Sequence, residues 1–415
     1  MENPETSRSS QVLELASEAG QILLENGSEI SRVDETMKRI ASNYGEKSEN
    51  FFTMGNGIIT TGDSYAGVKY IPIKGARFDK IIAVNQLSWD IQKGGCTFDE
   101  ARERVASIRT MRGKPIWEQL LGAALGSGGF CAVFGGSLFD CAAAVVAGIL
   151  LWIFVLTVSM PYLSKMLGNI FGGLVGTALC AAFHSFGFGE HLGNMIAGTL
   201  ILLVPGVAFT NGIRDLANED YLSGATRLMD ALMMFFCIAL GTCVAFVIHS
   251  YFIGGIIQLN GTFASAQTAG LPAQSLAALM GTLAFAILFS VPRKFYLSTG
   301  LVGMLGWITY LLIYRYAQLG IGAATFAGAF VVALLSIVLS IGQKCPSTIF
   351  LVCGNFPLIP GGGIFWSTYY TLTEQLTPAL SAWYTALKVA VAIVLGMIIV
   401  TWYFQKRKSR KSHHA

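Results

Sequence analysis

Two short segments of the sequence combine proline, glycine and polar side chains within apolar stretches long enough to cross a membrane. The first contains Pro205 and Gly206, followed by Asn211 and Asp215. Because proline lacks a backbone N–H and glycine loosens a helix, carbonyl groups of the preceding turn need other partners. Asn211 and Asp215 are four apart in sequence and share a face if this segment is helical. The set suits an ammonium group, and Asp215 is also a candidate proton carrier; the open alternative is a solvated loop.

The second segment contains Asn355, Pro357, Pro360 and Gly361 and carries no charged residue. Its polar groups are the Asn355 amide and the backbone, and three consecutive glycines before a helical run can present free N–H groups to a carboxylate. One segment suited to a cation and one suited to an anion predict a binding site for a small zwitterion. The alternative for each Pro-Gly pair is a kink required only for packing.

Ionisable residues elsewhere in the apolar stretches are functional candidates, because burying them in a membrane is costly. Asp140 lies at the junction of the first two stretches and is a second candidate proton carrier, or else a loop carboxylate. His184 and His191 flank a turn with Glu190, and these are too few ligands for a metal. The sequence therefore predicts neither a metal site nor a cofactor.

The two segments are related by an internal repeat. Residues 203–206 recur with the same Pro-Gly ending at 358–361, a repeat offset of 155 in residue number. A pattern of glycine and phenylalanine recurs at the same offset, with Gly126, Phe130 and Phe134 matching Gly281, Phe285 and Phe289. A repeat interrupted by Pro-Gly within membrane-length stretches is typical of transporters with discontinuous helices.

Charge divides the chain into two environments. Only 13% of the 415 residues are charged and 53% are hydrophobic, against about 25% charged residues in soluble proteins. Residues 1–114 hold 16 acidic and 15 basic residues, whereas residues 115–415 hold 8 and 13. The sequence therefore predicts a water-compatible N-terminal domain followed by a membrane domain. We predict ten spans, at residues 117–137, 141–160, 166–186, 191–210, 228–252, 273–292, 296–314, 319–342, 346–367 and 382–404.

Positive charge sets the predicted orientation. The N-terminus is polar and has no apolar signal region, so we expect it in the cytoplasm. With ten spans, the inner loops and the basic tail carry eleven Lys and Arg residues and the outer loops two, which supports cytoplasmic termini. Five spans per half is an odd number, so the halves should insert in opposite orientations. We expect an α-helical polytopic protein of the cell membrane, with inverted five-helix repeats at 115–258 and 259–405 and a tail at 406–415.

The N-terminal part, residues 1–114, reads as an α+β domain. Residues 10–45 have a helical period, with Ser28 or Ser31 as a candidate cap for the second helix. Residues 51–84 alternate and favour strands, and Thr97 begins a further helix with a capping box. Glu29, Asp34 and Glu35 are candidates for acid–base chemistry. The alternative is a solvated helix face on which arginines such as Arg32 form ion pairs.

These residues together resemble the threonine/serine exporter family. The resemblance rests on the run from Leu23 to Met37, on residues 203–206 with Asn211 and Asp215, on residues 220–224, and on Pro357, Pro360 and Gly361. It implies efflux of small hydroxyl amino acids driven by proton motive force. It also places Glu29, Arg32 and Glu35 on the N-terminal motif of the family. Some relatives divide the two halves between two chains, whereas this chain carries them fused.

Three functions are compatible with the sequence. The first is an antiporter that exports threonine and serine in exchange for protons. The second is an exporter of dicarboxylates such as succinate, and the third is a hydrolase or sensor in the N-terminal domain with the membrane part as its anchor. The expected partners are a small amino acid, protons and membrane lipid, without nucleic acid; small-residue stripes leave a homo-oligomer open.

Overall fold

The computed structural model describes residues 4–46, 51–62, 65–72, 75–253, 269–359 and 361–412. The N-terminal segment, residues 4–110, contains four helices and a three-stranded antiparallel sheet of order β1-β2-β3, with the first two helices packed against the sheet. Its elements are α1 (Pro4–Glu25), α2 (Ile30–Asn43), β1 (Phe51–Met54), β2 (Gly57–Thr61), β3 (Ala66–Tyr70), α3 (Phe78–Gln92) and α4 (Phe98–Thr110). Leu13, Leu23, Met37 and Phe78 are fully buried in its core.

Of two local predictions for this segment, the capping box at Thr97 is confirmed and the strand prediction for residues 51–84 is wrong in part. The capping box at Thr97 is present, because its hydroxyl accepts from the backbone N–H of Glu100 and the Glu100 carboxylate accepts from that of Thr97. The strand expectation for residues 51–84 is wrong after residue 77. Phe78, Ile81 and Ile82 are buried with helical spacing at the start of α3, so burial on one helix face prevails over the local alternation there.

The rest of the described chain is helical. Its elements are α5 (Ile116–Val133), α6 (Leu138–Phe154), α7 (Met160–Tyr162), α8 (Lys165–Ser185), α9 (Leu192–Leu200), α10 (Gly206–Ala217), α11 (Tyr221–Ile253), α12 (Leu271–Leu288), α13 (Tyr296–Arg315), α14 (Gly320–Gln343), α15 (Thr348–Asn355), α16 (Gly361–Leu372) and α17 (Leu376–Ser412). A π-helical turn at 155–159 joins α6 to α7. The predicted boundary between the two halves, at residues 258 and 259, lies outside the described residues.

The helices define a polytopic membrane protein. Seven helices among the described residues are long and apolar enough to cross a membrane, and the pair α9 and α10, bent by 63°, makes an eighth if it is one span. The predicted count of ten is not reached by these criteria. The predicted first span falls on α5, where Glu118, Gln119 and many small residues lower the mean hydropathy. The predicted ninth falls on the short apolar stretch Thr348–Leu358 and the break after it.

The repeat offset recurs in the element boundaries. Four pairs of helices begin at equivalent residues, and the short 3-10 turns that precede the two breaks, Ile201–Leu203 and Phe356–Leu358, are equivalent as well. The paired starts are Ile116 and Leu271, Lys165 and Gly320, Gly206 and Gly361, and Tyr221 and Leu376. The two halves therefore share one backbone plan.

Side-chain contacts repeat with the same offset. The indole of Trp152 donates to the Gln119 amide oxygen at 3.4 Å, and Trp307 donates to Gln274 at 3.0 Å. The first helices of the two halves, α5 and α12, pack directly against each other. Within that contact the equivalent residues Phe130 and Phe285 meet with ring centroids 5.7 Å apart.

Candidate functional site

The helix breaks form by the same backbone route in both halves. Each short 3-10 turn is followed by one extended residue, Val204 (ψ 127°) in the first half and Ile359 (ψ 131°) in the second. Pro205 then precedes α10, while its counterpart Pro360 lies outside the described residues. The new helices begin at Gly206 and at Gly361.

The two breaks lie in contact with each other. A Cβ atom placed on Gly206 would collide with the ring of Phe356, so glycine is required for this approach. Phe356 in turn stacks on Phe285, with centroids 3.5 Å apart. The structure therefore brings Pro205 and Gly206 to the segment that contains Pro357, which is buried in the second 3-10 turn.

Asn355 ends α15 immediately before the second break. Its side chain is fully buried, its amide nitrogen lies 3.5 Å from the Met397 sulfur, and its amide oxygen makes no hydrogen bond within the described chain. Asn194 in α9 is also buried, and its amide nitrogen has no hydrogen-bond partner among the described residues. A buried amide oxygen without a partner costs free energy, so the Asn355 oxygen is available as a ligand for a polar substrate.

Asn211 and Asp215 lie on α10 and are 1% exposed, not in a solvated loop. Their partners, however, come from the N-terminal segment rather than from the breaks. The Asn211 amide donates to the Gly27 carbonyl at 2.6 Å, and Asp215 accepts from the backbone N–H of Ile30 at 3.2 Å. Its other oxygen lies 3.0 Å from the Arg227 guanidinium.

Asp215, and not a serine of the N-terminal segment, accepts the hydrogen bond from the first backbone N–H of α2. The structure places Glu29 at the N-cap position, without a side-chain cap bond from its own helix. The prediction of Ser28 or Ser31 as the cap is therefore wrong. The first N–H groups of a helix need acceptors, and here a carboxylate 185 positions away in the chain supplies one at the positive end of α2.

Glu29 is the centre of a buried charge cluster formed by Glu29, Arg32, Arg214, Asp215, Arg227 and Thr348. One Glu29 oxygen lies 2.6 Å from Arg214 and the other 2.8 Å from Arg32. The Thr348 hydroxyl donates to Glu29 at 3.4 Å and accepts from Arg214 at 2.9 Å. Burial raises the pKa of Glu29, but the three neighbouring guanidinium groups together hold it below its usual 4.5, so Glu29 is ionised.

The cluster includes residues that the sequence did not single out as ligands. Arg227 donates to the Ser28 carbonyl at 2.9 Å as well as pairing with Asp215. In sequence Arg227 stands three positions before Asp230, which suggests a local pair, but Asp230 pairs with Lys165 instead. Long-range partners of this kind leave no local pattern.

The three residues of the N-terminal motif separate in space. Glu29 and Arg32 belong to the charge cluster, whereas Glu35 lies on the outer face of α2, where its carboxylate pairs with Arg39 at 3.0 Å. Arg39 also stacks on Trp89, with 3.9 Å from its guanidinium carbon to the ring centroid. Glu29 therefore contacts the membrane part directly, and Arg32 joins the cluster through Glu29.

Asp140 is fully buried and makes a capping box with Ser137 at the start of α6. Its carboxylate also accepts from the backbone N–H groups of Glu190 and His191 at 2.6 and 2.9 Å, and it contacts the His191 ring at 2.9 Å. These bonds tie the loop before α9 to α6. Among the described residues no group of three or more His, Cys, Asp and Glu side chains could hold a metal ion.

The fold and the paired breaks define a polytopic helical membrane protein of two equivalent halves with discontinuous helices, an arrangement that many secondary transporters use. The chain belongs to the threonine/serine exporter family. Residues 14–249 match the family model described as "Putative threonine/serine exporter", and residues 274–403 match "Threonine/Serine exporter, ThrE". The resemblance found in the sequence motifs is thus confirmed.

Two named relatives extend this match. A probable threonine/serine exporter of Mycobacterium tuberculosis is 24% identical over 340 residues, which are 78% of this chain and 63% of the relative. The threonine/serine exporter of Corynebacterium glutamicum is 23% identical over 412 residues, 94% of this chain and 82% of the relative. The chain therefore spans less than two thirds of the mycobacterial protein. No solved structure matches the chain.

Proposed function

We propose that this protein exports small amino acids such as threonine and serine across the cell membrane, driven by proton motive force. The proposal is supported by the family membership and by the names of both relatives. The single observation that carries it is the contact between two helix breaks at Gly206 and Phe356. Discontinuous helices that meet in this way are where secondary transporters bind substrate.

The repeat supports an inverted architecture. We count α5, the continuous rod α6–α7, α8, the broken pair α9–α10, and α11 as five crossings, each with a counterpart in the second half. The weakest of them by hydropathy, α5, has 18 residues, which is within the range of lengths that cross the hydrocarbon core. Because five crossings per half is an odd number, we propose that the halves lie in opposite orientations, with residues 1–114 and the C-terminal tail in the cytoplasm.

The substrate site lies between the two breaks. The N-terminal ends of α10 and α16 begin there and offer free N–H groups and positive dipole ends to a carboxylate. The unsatisfied oxygen of Asn355 and the second lone pairs of the backbone carbonyls in the turn before Pro205 offer acceptors to an ammonium group. Because Asp215 already pairs with Arg227, we assign the ammonium to these acceptors and keep Asp215 and Asp140 as candidates for proton coupling.

The test is flux in proteoliposomes that contain the full chain and labelled threonine, with an imposed proton gradient and the Corynebacterium glutamicum exporter as positive control. We expect gradient-dependent threonine efflux that unlabelled serine inhibits and succinate does not. Succinate inhibition with equal potency would favour dicarboxylate export. Absence of gradient-dependent flux beside a working control would overturn the proposal.

A matched pair of variants tests the site. Asn355→Leu removes the unsatisfied amide, and Asn169→Leu makes the same substitution at a second asparagine whose amide contacts a methionine sulfur, that of Met234, away from the breaks. We expect Asn355→Leu to raise the threonine KM about 10-fold or more, the equivalent of one lost hydrogen bond of ~1.4 kcal/mol, and Asn169→Leu to leave it unchanged. Equal effects would remove Asn355 from the site.

A further inference from the structure

The carboxylate of Glu29 occupies a binding site that other parts of the chain largely build. Arg214 on α10 and Thr348 on α15 belong to different halves of the membrane part, and both contact Glu29, at 2.6 and 3.4 Å. Arg32 adds a second guanidinium at 2.8 Å. Paired guanidinium groups with a hydroxyl are the arrangement that proteins use to recognise a carboxylate.

The cluster has more donor capacity than its own carboxylates use. It contains three arginines against Glu29 and Asp215, an excess of one positive charge. The Nε atoms of Arg214 and Arg227 are buried and make no hydrogen bond with any described residue, and the same holds for the Ser28 hydroxyl. One oxygen each of Glu29 and Asp215 also lacks a hydrogen bond there, but both lie within ion-pair distance of an arginine, through its terminal guanidinium nitrogens and not through the two Nε atoms. Buried donors without acceptors are costly, so the cluster favours a further anionic or polar ligand.

The position of the cluster relates it to the breaks. Along α10, Arg214 lies about two helical turns beyond Gly206, and along α15, Thr348 lies about two turns before Asn355. The cluster therefore lies at the ends of α10 and α15 that are farthest from the contacting breaks. In the proposed orientation this is the cytoplasmic entrance, and its edge reaches solvent where Arg32 and Arg214 are 19% and 12% exposed.

We propose that Arg214, Thr348 and Arg32 form an entry site for the carboxylate of the transported amino acid, which Glu29 fills as a built-in competitor. The inference rests on the proposed function. When a substrate carboxylate replaces Glu29, the turn between α1 and α2 loses its ion pair to α10 and its hydroxyl contact to α15. Loading of the site and loss of these two Glu29 contacts are therefore one event, while the bonds of Asn211, Asp215 and Arg227 to the same turn remain.

The tethered competitor sets a threshold for loading. Because the fold holds Glu29 in place, it competes as an intramolecular ligand with an effective concentration of its own. A free amino acid displaces Glu29 only when its own concentration is comparable, and removing the Glu29 charge removes this competition. The site thus restricts loading to conditions of amino-acid excess in the cytoplasm.

The experiment compares Glu29→Gln with Glu35→Gln in the purified full chain. Both variants remove one carboxylate from the start of α2, but Glu35 is exposed and outside the cluster. We measure equilibrium binding of threonine and of threonine amide, which lacks the carboxylate. We expect Glu29→Gln to tighten threonine binding about 10-fold, to leave threonine amide unchanged, and to lose the gain when combined with Arg214→Gln. Glu35→Gln should behave like the wild type.

Each other outcome has a defined meaning. If Glu29→Gln changes threonine binding no more than Glu35→Gln does, or shifts threonine and its amide equally, Glu29 is a structural anchor and the inference is wrong. If Glu29→Gln does not remain monodisperse in detergent, the experiment uses Glu29→Asp instead. This variant keeps the negative charge but moves it back by one methylene. It should increase the affinity for threonine by less than Glu29→Gln would, and should leave the affinity for threonine amide unchanged. Acetate and succinate could bind Glu29→Gln more tightly than the wild type while threonine binds neither of the two. That result would support the carboxylate site and contradict the proposal of amino-acid export.

Discussion

The half-helices α10 and α16 begin at equivalent breaks, yet they present opposite chemistry. With the repeat offset, Asn211, Arg214 and Asp215 of α10 correspond to Trp366, Tyr369 and Tyr370 of α16. The first set belongs to or adjoins the charge cluster and holds the N-terminal segment. The second is a mutually packed aromatic set, with Trp366 and Tyr369 centroids 5.7 Å apart and Tyr369 and Tyr370 centroids 5.6 Å apart.

The difference shows that two half-helices with the same backbone arrangement can be held by different kinds of contact, ionic for α10 and aromatic for α16. Arginines that pair with a protein carboxylate can pair in the same way with the carboxylate of a ligand, so ionic contacts of this kind can be exchanged. Aromatic contacts depend on area and shape instead. In the proposed orientation the charged residues of α10 lie toward the cytoplasm and the aromatic residues of α16 toward the opposite side of the membrane.

The largest expected effect is at the ionic end. Arg214→Met leaves the Glu29 carboxylate buried without its nearest partner, and we expect a destabilisation of about 3–5 kcal/mol. At the equivalent aromatic position, Tyr369→Phe removes only a hydroxyl and should cost about 1 kcal/mol. Thermal unfolding of both variants in the same detergent measures the contrast. Equal losses would show that the two half-helices are held by similar forces.

The contact between the breaks should give the next effect. Gly206→Ala drives a Cβ atom into the Phe356 ring, and overpacking of this kind costs about 1–3 kcal/mol. Gly322→Ala is the control, because a Cβ there meets no atom within 4 Å. Phe356→Leu should restore stability when combined with Gly206→Ala. If the double variant is no more stable than Gly206→Ala alone, the clash is not at this ring.

The repeated Trp–Gln bonds offer a finer comparison of the halves. Gln274 accepts from Trp307 and also donates to the Ala132 carbonyl of the other half at 3.0 Å, whereas the Gln119 amide donates to the nearby Lys114 carbonyl. Gln274→Met should therefore cost about 1–2 kcal/mol and Gln119→Met about 0.5 kcal/mol. Chemical denaturation of the two variants ranks them. The reverse order would contradict the role of Gln274 between the halves.

The smallest effect concerns pH. Because the pKa of folded Glu29 lies below its usual 4.5, its ionised form contributes stability that is fully present above the usual pKa and is lost as pH falls through the folded pKa. Wild type and Glu29→Gln should therefore unfold with a constant difference in midpoint from about pH 7 to about pH 5, and this difference should shrink at lower pH. A difference that already shrinks between neutral pH and about pH 5 would contradict the ion pairing of Glu29.

Much of the membrane part was predictable from local patterns. Pro205, Gly206 and their counterparts predict both the helix breaks and the repeat offset. The first residues of paired helices in the structure differ by that same offset. The count of crossings was harder, because α5 is rich in small residues and its apolar character is weak. The strand expectation for residues 51–84 was wrong from residue 78, because the first turns of α3 show a short alternation that resembles a strand.

The charge cluster was not predictable, although Glu29, Arg32 and Asp215 were all singled out. Asp215 meets Ile30 across 185 positions of the chain, and Thr348 meets Glu29 across 319. Local spacing suggested that Asp215 serves a substrate ammonium and that Glu29 and Arg32 form a helix-face pair. Only the docking of the turn between α1 and α2 onto α10 and α15 joins them, and that docking depends on the whole fold.

The most direct test of the account is a structure of the full chain with bound threonine. We expect the ligand between residues 205–215 and 355–363, with its carboxylate toward the N-terminal ends of α10 and α16 and its ammonium near Asn355. Threonine bound wholly outside these segments would contradict the proposal that the paired breaks form the transport site.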